Sequence, residues 1–262
     1  MRLTGAAAGD LVELVSPPRG CHLLDVGTGT GVAGAAAGDA VGPDGVVVGA
    51  DISFDMVHVG TRERPRVRFV VADAVDLPFP NESFDVVTAN FLIALVPAYD
   101  TVLFDMIRVL TPGGRLGLTW WGKGEDEFQR RWRALCEEAV GQEMLDDAVA
   151  QIMPGDERFA DRASFEQTLR DAGLHPVRIE PREYRIQMSR QDYLLHRSTS
   201  ATGRFVHGML GEDGWEAFMH RAQSAFADEF PEQVNDFRDV NLAVGTKAAD
   251  GLQQQDVQGS RR

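Results

Sequence analysis

Three aspartates near the ends of apolar runs are the residues whose types and spacing best suggest chemistry. Asp51 ends the run 46–51, where its carboxylate can accept hydrogen bonds from both hydroxyls of a ribose. Asp73 follows the run 67–72 and can accept a hydrogen bond from an exocyclic amine. Asp25 precedes a cluster of glycines, where it can orient that turn or meet an ammonium group of a ligand. The three acids predict a site for an adenosine-like molecule.

The neighbours of two of these acids fit the same ligand. Ile52 follows Asp51 and can lie against one face of an adenine ring. Ala74 follows Asp73 and can offer its backbone amide to a ring nitrogen. The set contains no phosphate clamp, so the pattern indicates an adenosine group without a phosphate.

A turn with three alternate glycines, Gly27, Gly29 and Gly31, joins the apolar run 21–26 to the alanine-rich segment 32–41. We expect a buried strand before this turn and a helix after it. Because glycine lacks Cβ, the backbone there can turn sharply and come close to a ligand.

The segment 29–34 also satisfies the dinucleotide pattern G-x-G-x-x-G, with Asp51 at about the expected distance. In a dehydrogenase these glycines approach a pyrophosphate, which a carboxylate at Asp25 would repel. This repulsion favours another cofactor and makes a nicotinamide-dependent dehydrogenase the weakest interpretation.

Alternating strands and helices must position these residues. Further strands are predicted at 46–51, 67–72, 84–89 and 115–121, and helices at 53–62 and 99–110. Helical crossovers indicate a parallel sheet covered on both faces, which binds cofactors at the carboxyl ends of its strands. Beyond residue 121 the pattern predicts helices at 125–150, 163–172 and 189–230, an edge-like extended stretch at 176–187 and a last strand at 240–246.

Composition excludes several other classes of protein. The 262 residues carry a formal net charge of -14, which repels an extended polyanion, so we expect no nucleic-acid partner. Two cysteines, Cys21 and Cys136, suffice for neither a disulfide framework nor a four-ligand zinc site. No apolar stretch suits a signal peptide or a membrane span, so we expect a cytoplasmic protein without a membrane partner. We expect a monomer or a homodimer.

Four blocks of sequence together resemble the class I S-adenosylmethionine-dependent methyltransferases, in the small-molecule branch typified by ubiquinone and menaquinone methyltransferases. The blocks are LLDVGTGTG (23–31), GADIS (49–53), ADAVDLPFPNESFDVV (72–87) and RVLTPGGRLGLTWW (108–121). The resemblance covers about the first half of the chain, and 240–246 resembles the family's antiparallel seventh strand. It implies a doubly wound α/β fold with a seven-stranded, mostly parallel Rossmann-like sheet, an antiparallel last strand and a helical insertion.

The resemblance also implies S-adenosyl-L-methionine as the cofactor, a small molecule as the methyl acceptor, and no metal. Met56 would join Ile52 in sandwiching the adenine, and Phe91 would stand near the methyl group. Phe91, Trp121 and Tyr193 are expected on the acceptor side. The residues expected to contact the cofactor are Asp25, Gly27, Gly29, Gly31, Asp51, Ile52, Met56, Asp73, Ala74 and Asn90.

We expect a single methyltransferase domain over 1–247, with helical acceptor-side insertions at about 122–160 and 189–232. The glutamine- and glycine-rich tail 248–262 is expected to be disordered. Only some twenty residues precede the first strand, whereas many members of the family have extra helices there. We therefore predict that 189–230 covers the cofactor.

The reaction is the least constrained part of the prediction. Several members of the family have a histidine pair after strand four, where this chain has Leu92-Ile93-Ala94, which leaves His196 and His207 as candidate bases. An enolizable ketone, a phenolate or a carboxylate would need alignment alone. The expected reaction is methyl transfer to oxygen or carbon of a small, fairly apolar metabolite of secondary metabolism. A cyclisation on the same fold and a non-catalytic partner subunit stay open as alternatives.

Overall fold

A seven-stranded sheet positions the residues predicted to bind the cofactor. The computed structural model describes residues 2–155, 159 and 161–249. The strands are β1 (His22–Val26), β2 (Val46–Asp51), β3 (Val67–Val71), β4 (Phe84–Asn90), β5 (Leu110–Trp121), β6 (Leu174–Ser189) and β7 (Gln233–Lys247). Their order in the sheet is β3-β2-β1-β4-β5-β7-β6, parallel from β3 to β5 with antiparallel last strands. The predicted α/β fold with a seven-stranded, mostly parallel sheet is confirmed.

Nine α-helices connect these strands within the described part of the chain. They are α1 (Arg2–Val15), α2 (Val32–Val41), α3 (Phe54–Glu63), α4 (Tyr99–Val109), α5 (Glu127–Val140), α6 (Gln142–Ile152), α7 (Arg162–Asp171), α8 (Arg190–Ser198) and α9 (Ala201–Glu229). The sequence predicts α2 and β2 with their observed bounds, because glycines and a turn delimit both segments. None of the described helices combines the length and apolar character needed to span a bilayer.

The fifth strand differs from its prediction. It begins at Leu110, although the sequence predicts a break at 111–114 and a strand from 115. The pairing with β4 shifts from Phe84 opposite Leu110 to Val86 opposite Arg115, so the strand holds an irregularity rather than ending. The Pro-Gly-Gly sequence at 112–114 indicates a local break, but it does not show that Leu110, two residues before it, pairs with β4.

By its packing the chain divides into two units, Met1–Trp120 with Glu157–Pro181 and Asn241–Arg262, and Trp121–Asp156 with Arg182–Val240. We call them unit 1 and unit 2. Most of the first predicted insertion and all of the second fall in unit 2. From residue 250 onward, the tail predicted to be disordered lies outside the described residues.

The core of unit 1 lies on both faces of the sheet. On one face, α1 packs against β5, where a Cβ added to Gly117 would collide with Leu11 and Val15. The other face carries a continuous apolar cluster in which Trp120 of β5 meets Phe165 of α7, with ring centroids 4.7 Å apart. The sheet is therefore covered on two sides, and ligands can reach it at the strand ends.

Unit 2 has its own aromatic core. Trp132 of α5 packs edge-on against Phe218 of α9, with 5.6 Å between centroids. Tyr193 of α8 stacks on Phe226 at 5.5 Å. The other buried members of this cluster are Phe128, Leu135, Cys136, Leu145, Leu194, Val206, Ala222 and Val234. Unit 2 thus has an apolar cluster of its own, formed mainly by its helices together with Val234 of β7.

Candidate active site

The carboxyl ends of β1, β2 and β3 lie side by side and bring the three predicted acids to one edge of the sheet. Asp25 pairs in register with Gly49 of β2, and Asp51 ends β2 opposite Val71 of β3. Asp73 follows β3 by two residues. The sequence spacing of the acids therefore corresponds to adjacent strand ends, as parallel topology requires.

Asp25 is buried and its carboxylate organises the glycine turn. Oδ2 accepts hydrogen bonds from the Thr28 hydroxyl at 2.6 Å and the Gly34 amide at 3.1 Å, while Oδ1 accepts from the Thr88 hydroxyl at 2.9 Å. Burial raises the pKa of Asp25 to about 6, and these hydrogen bonds act in the opposite direction. Of the two roles expected from the sequence, the structure shows the orienting one. The contact with a ligand ammonium group stays a prediction.

Asp51 joins the glycine turn to the start of α3. Its Oδ2 accepts a hydrogen bond from the Gly29 amide at 2.7 Å, and its Oδ1 accepts from the Ser53 amide at 2.9 Å. Each oxygen keeps a second acceptor position for a ligand hydroxyl. The Gly29 amide is already used, which leaves it unavailable for the phosphate contact that a dinucleotide would require.

The glycine turn is open at one position and tightly packed at another. All three predicted glycines, Gly27, Gly29 and Gly31, have a positive φ. A Cβ at Gly31 would lie 2.6 Å from Cζ of Phe69, whereas a Cβ at Gly29 would meet no atom within 4 Å. The space in front of Gly29 is therefore where the backbone can touch a ligand.

Exposed apolar side chains lie directly beyond Asp51. Ile52 is 69% exposed and Met56, in the first turn of α3, is 47% exposed. Ser53 caps this helix by accepting a hydrogen bond from the Met56 amide. Large apolar side chains on a strand tip offer a surface for a flat ring, which fits the predicted adenine contacts.

Asp73 lies in an exposed loop, next to the half-buried Ala74. Its Oδ1 accepts a hydrogen bond from the Val75 amide at 3.1 Å. A second carboxylate, Asp105 of α4, anchors the same loop by accepting from the Leu77 amide at 2.7 Å. Arg108 pairs with Asp105 and also donates to the Leu77 carbonyl at 3.0 Å. The loop that carries Asp73 and Ala74 is therefore fixed to α4.

The tip of β4 holds a small polar network. The buried Thr119 hydroxyl donates to Oδ1 of Asn90 at 2.7 Å and accepts from the Phe91 amide at 2.9 Å. Phe91 has a φ of +59°, a conformation that non-glycine residues rarely adopt. Asn90 also donates to the Thr4 carbonyl of α1 at 3.4 Å. Both predicted residues thus lie at the carboxyl end of the sheet, held by residues from β5 and α1.

Two of the acceptor-side candidates, Trp121 and Tyr193, differ in exposure. Trp120, which precedes Trp121 on β5, is buried and donates to the Phe159 carbonyl at 2.9 Å, while Trp121 is partly exposed. For Tyr193 the structure corrects the expectation. Its side chain is 0% exposed in the core of unit 2, between Phe128 and Phe226, and presents no surface at which an acceptor could enter from solvent.

The two candidate bases both belong to unit 2. Partial burial lowers the pKa of His196, and the positive charges of Arg238 and Arg197 lower it further. His207 lies 3.1 Å from Oε1 of Glu212 and stacks on Trp215, with ring centroids 4.9 Å apart. This contact spans Gly211, where α9 has non-helical backbone angles. A role for either histidine as a base stays a prediction.

Three threonines that sequence reasoning missed complete the site. Thr28 and Thr88 hold Asp25, and Thr119 holds Asn90 and Phe91. The position of Thr28 between two glycines is a usable signal. Thr88 and Thr119 lie within apolar strands, where one threonine resembles any other β-branched residue.

Comparison with known proteins shows a family match. The model of the ubiE/COQ5 methyltransferase family matches residues 9–186, more than half of the chain. Nocamycin O-methyltransferase of Saccharothrix syringae is 37% identical over 181 residues, which are 64% of this chain and 64% of that protein. Demethylmenaquinone methyltransferase of a Geobacillus species (strain WCH70) is 38% identical over 112 residues, 41% of this chain and 48% of that protein. Each match spans less than two thirds of the relative's own length.

Solved structures share the fold. The YcgJ protein of Bacillus subtilis superimposes with a TM-score of 0.59, covering 93% of this chain and 99% of that chain. The sequence identity is 18%, so this likeness shows the fold alone.

Proposed function

Because the chain belongs to the ubiE/COQ5 methyltransferase family, we propose that it transfers the methyl group of S-adenosylmethionine to oxygen or carbon of a small, fairly apolar metabolite. The observation that carries this proposal is the position of Asp51 beside the open space at Gly29. Asp25 orients the turn there, and Asp73 lies next along the same edge. This arrangement suits a cofactor with a ribose and an adenine but no phosphate.

In this proposal, residues of the chain bind the cofactor and hold it in position. Asp51 accepts the ribose hydroxyls, and Asp73 with the Ala74 amide reads the edge of the adenine. Ile52 and Met56 cover its faces and exclude water. Gly27 and Gly31 shape the turn, and the Gly29 backbone contacts the methionine part. When bound, S-adenosylmethionine supplies a methyl group already activated by a sulfonium.

At the acceptor side, Asn90 and Phe91 align the reacting atom with the methyl group at the tip of β4. An acceptor that is already nucleophilic needs only this alignment, because an oriented intramolecular reaction avoids most of the entropic cost of encounter. One relative is by name an O-methyltransferase, which favours oxygen as the methylated atom. Trp121 on the acceptor side and a cover supplied by 189–230 remain predictions of the same proposal.

Calorimetric titration with S-adenosylhomocysteine, followed by assays with candidate acceptors, tests the proposal. We expect a dissociation constant in the micromolar range, corresponding to about -8 kcal/mol, and formation of S-adenosylhomocysteine during turnover of S-adenosylmethionine. Absence of any binding would overturn the proposal. Product formation without S-adenosylhomocysteine would favour the cyclisation, and binding without turnover of any acceptor would favour the non-catalytic subunit.

A single methyl group at Gly29 should separate binding from folding. In Gly29→Ala the new Cβ meets no protein atom, so we expect only the strain of a left-handed alanine, about 1 kcal/mol. The same Cβ occupies the space assigned to the cofactor, so its dissociation constant should rise at least about tenfold, or about 1.4 kcal/mol. Thermal denaturation and calorimetry measure the two effects. Unchanged cofactor affinity in a folded variant would refute the placement of the cofactor at this turn.

A further inference from the structure

Unit 2 contains a small cavity of about 190 Å³. One wall is apolar and is formed by Trp132, Leu145, Val149 and Met153, with the Cys136 thiol beside them. Burial raises the pKa of Cys136 to about 12, so this thiol is neutral and behaves as part of the apolar wall. The volume is below the roughly 300–1,000 Å³ of pockets for drug-sized ligands, so the cavity fits only a small molecule.

Arg197, at the end of α8, brings a positive charge to this cavity. Its Nε is buried without a hydrogen-bond partner, and no carboxylate of residues 2–155, 159 and 161–249 forms an ion pair with it. The Arg197 side chain as a whole is half-buried, so the desolvation cost falls on Nε, and an anion that accepted a hydrogen bond from this atom would offset that cost. The Nε of Arg197 therefore lacks a hydrogen-bond acceptor in the described part of the protein.

The other polar groups of the cavity already have partners. Arg133 forms ion pairs with Glu137 and Asp146. The Gln129 side chain accepts from the Asp126 amide at 2.9 Å and donates to the Phe237 carbonyl at 3.1 Å.

Two further polar residues line the cavity. Thr202 accepts from Nε1 of Trp132 at 3.4 Å. Glu125 is exposed, so solvent screens its negative charge. Arg197 is thus the lining arginine without an ion pair, although the carboxylate of Asp236 already feels its positive charge. This balance matches a ligand with one negative charge rather than a dianion.

We propose that the cavity binds a small aromatic carboxylate. The planar guanidinium of Arg197 presents paired donors that fit a carboxylate. Met153 is partly exposed and offers a thioether, which contacts aromatic rings favourably, whereas Trp132 is almost fully buried against Phe218 and forms the floor behind it. All of these groups belong to unit 2, whereas the residues assigned to the cofactor belong to unit 1.

Titration of the full chain with sodium benzoate, with no S-adenosylmethionine present, tests this site. We expect saturable binding by calorimetry, at least tenfold weaker binding of the neutral analogue benzamide, and at least tenfold weaker benzoate binding by Arg197→Met. The matched control is Arg204→Met, which removes an exposed arginine of α9 that donates to the Thr199 carbonyl and does not line the cavity. Its affinity for benzoate should equal that of the native chain.

Val149→Phe provides a second variant that leaves the charge in place and fills the cavity, and it should also weaken benzoate binding at least tenfold. Circular dichroism checks that each variant is folded. If Arg197→Met does not fold, the comparison of benzoate with benzamide and the Val149→Phe variant still test the proposal. Equal binding of benzoate and benzamide, or native affinity in the folded variants, would overturn the proposal. Cofactor titrations are independent of these results, so a failure here leaves the methyltransferase proposal standing.

Discussion

Asp51→Asn should weaken binding of S-adenosylmethionine at least about 30-fold, or about 2 kcal/mol. In the structure both carboxylate oxygens of Asp51 accept backbone amides, from Gly29 and Ser53, and both have a free position for a ribose hydroxyl. An asparagine offers one oxygen and one NH₂ group, and that NH₂ would face an amide that also donates. The variant therefore loses charge-assisted bonds to the ligand and disturbs the turn that forms the site.

Calorimetry with S-adenosylhomocysteine measures this loss, and thermal denaturation measures the effect on the turn. Asp85→Asn is the matched control. Asp85 accepts a hydrogen bond from the His22 amide at 2.9 Å, so it also bonds to the backbone. It lies at the amino end of β4, away from the carboxyl ends of the strands where the cofactor is placed. This variant should keep native cofactor affinity. A dissociation constant for Asp51→Asn within threefold of the native value would contradict the assignment of the ribose.

The sequence predicts those parts of the site that local patterns determine. The apolar run of β2 ends at Asp51, and the glycine turn gives the start of α2, so the acids fall on adjacent strand tips. The orienting role of Asp25 was predictable, but the side chains that hold it were not. Thr88 bonds to Asp25 from 63 residues away, and no spacing rule connects a strand threonine to a particular acid.

Long-range packing also explains where the sequence misleads. Tyr193 carries a hydroxyl group on an aromatic ring, which is typical of residues in binding sites. In the structure it is buried in the aromatic core of unit 2. The unpaired Arg197 is indistinguishable in sequence from the paired Arg133. Periodicity identifies the helices of unit 2, whereas the partners of each arginine depend on how those helices pack.

Asp25→Asn should change the pH dependence of stability more than any other substitution at the site. The pKa of Asp25 is about 6 in the folded protein, against a usual value of 3.8. Folding therefore takes up a proton between these pH values, and the stability that this group contributes is present below pH about 4 and lost as the pH rises through about 6. Across this pH range the contribution of Asp25 to the free energy of unfolding falls by about 3 kcal/mol.

Asparagine keeps the shape of the protonated acid without this penalty. Its oxygen can accept the Thr28 hydroxyl and the Gly34 amide, and its NH₂ can donate to the Thr88 hydroxyl, which can turn to accept. At pH 4 the variant and the native chain should have similar free energies of unfolding. At pH 7.5 the variant should be more stable by about 2–3 kcal/mol, since only the native chain holds a buried charge.

Urea denaturation at both pH values measures this difference, with Asp44→Asn as the control for removing an exposed charge. Asp236 of unit 2, whose pKa burial also raises to about 6, is common to all three proteins and cancels from the comparison. If the free energy of unfolding depends on pH equally in the native chain and in Asp25→Asn, the Asp25 carboxylate is not buried as a charge. The same variant decides the second role of Asp25. If the carboxylate meets the ammonium group of the cofactor, affinity falls about tenfold, and if it only orients the turn, affinity stays at the native value.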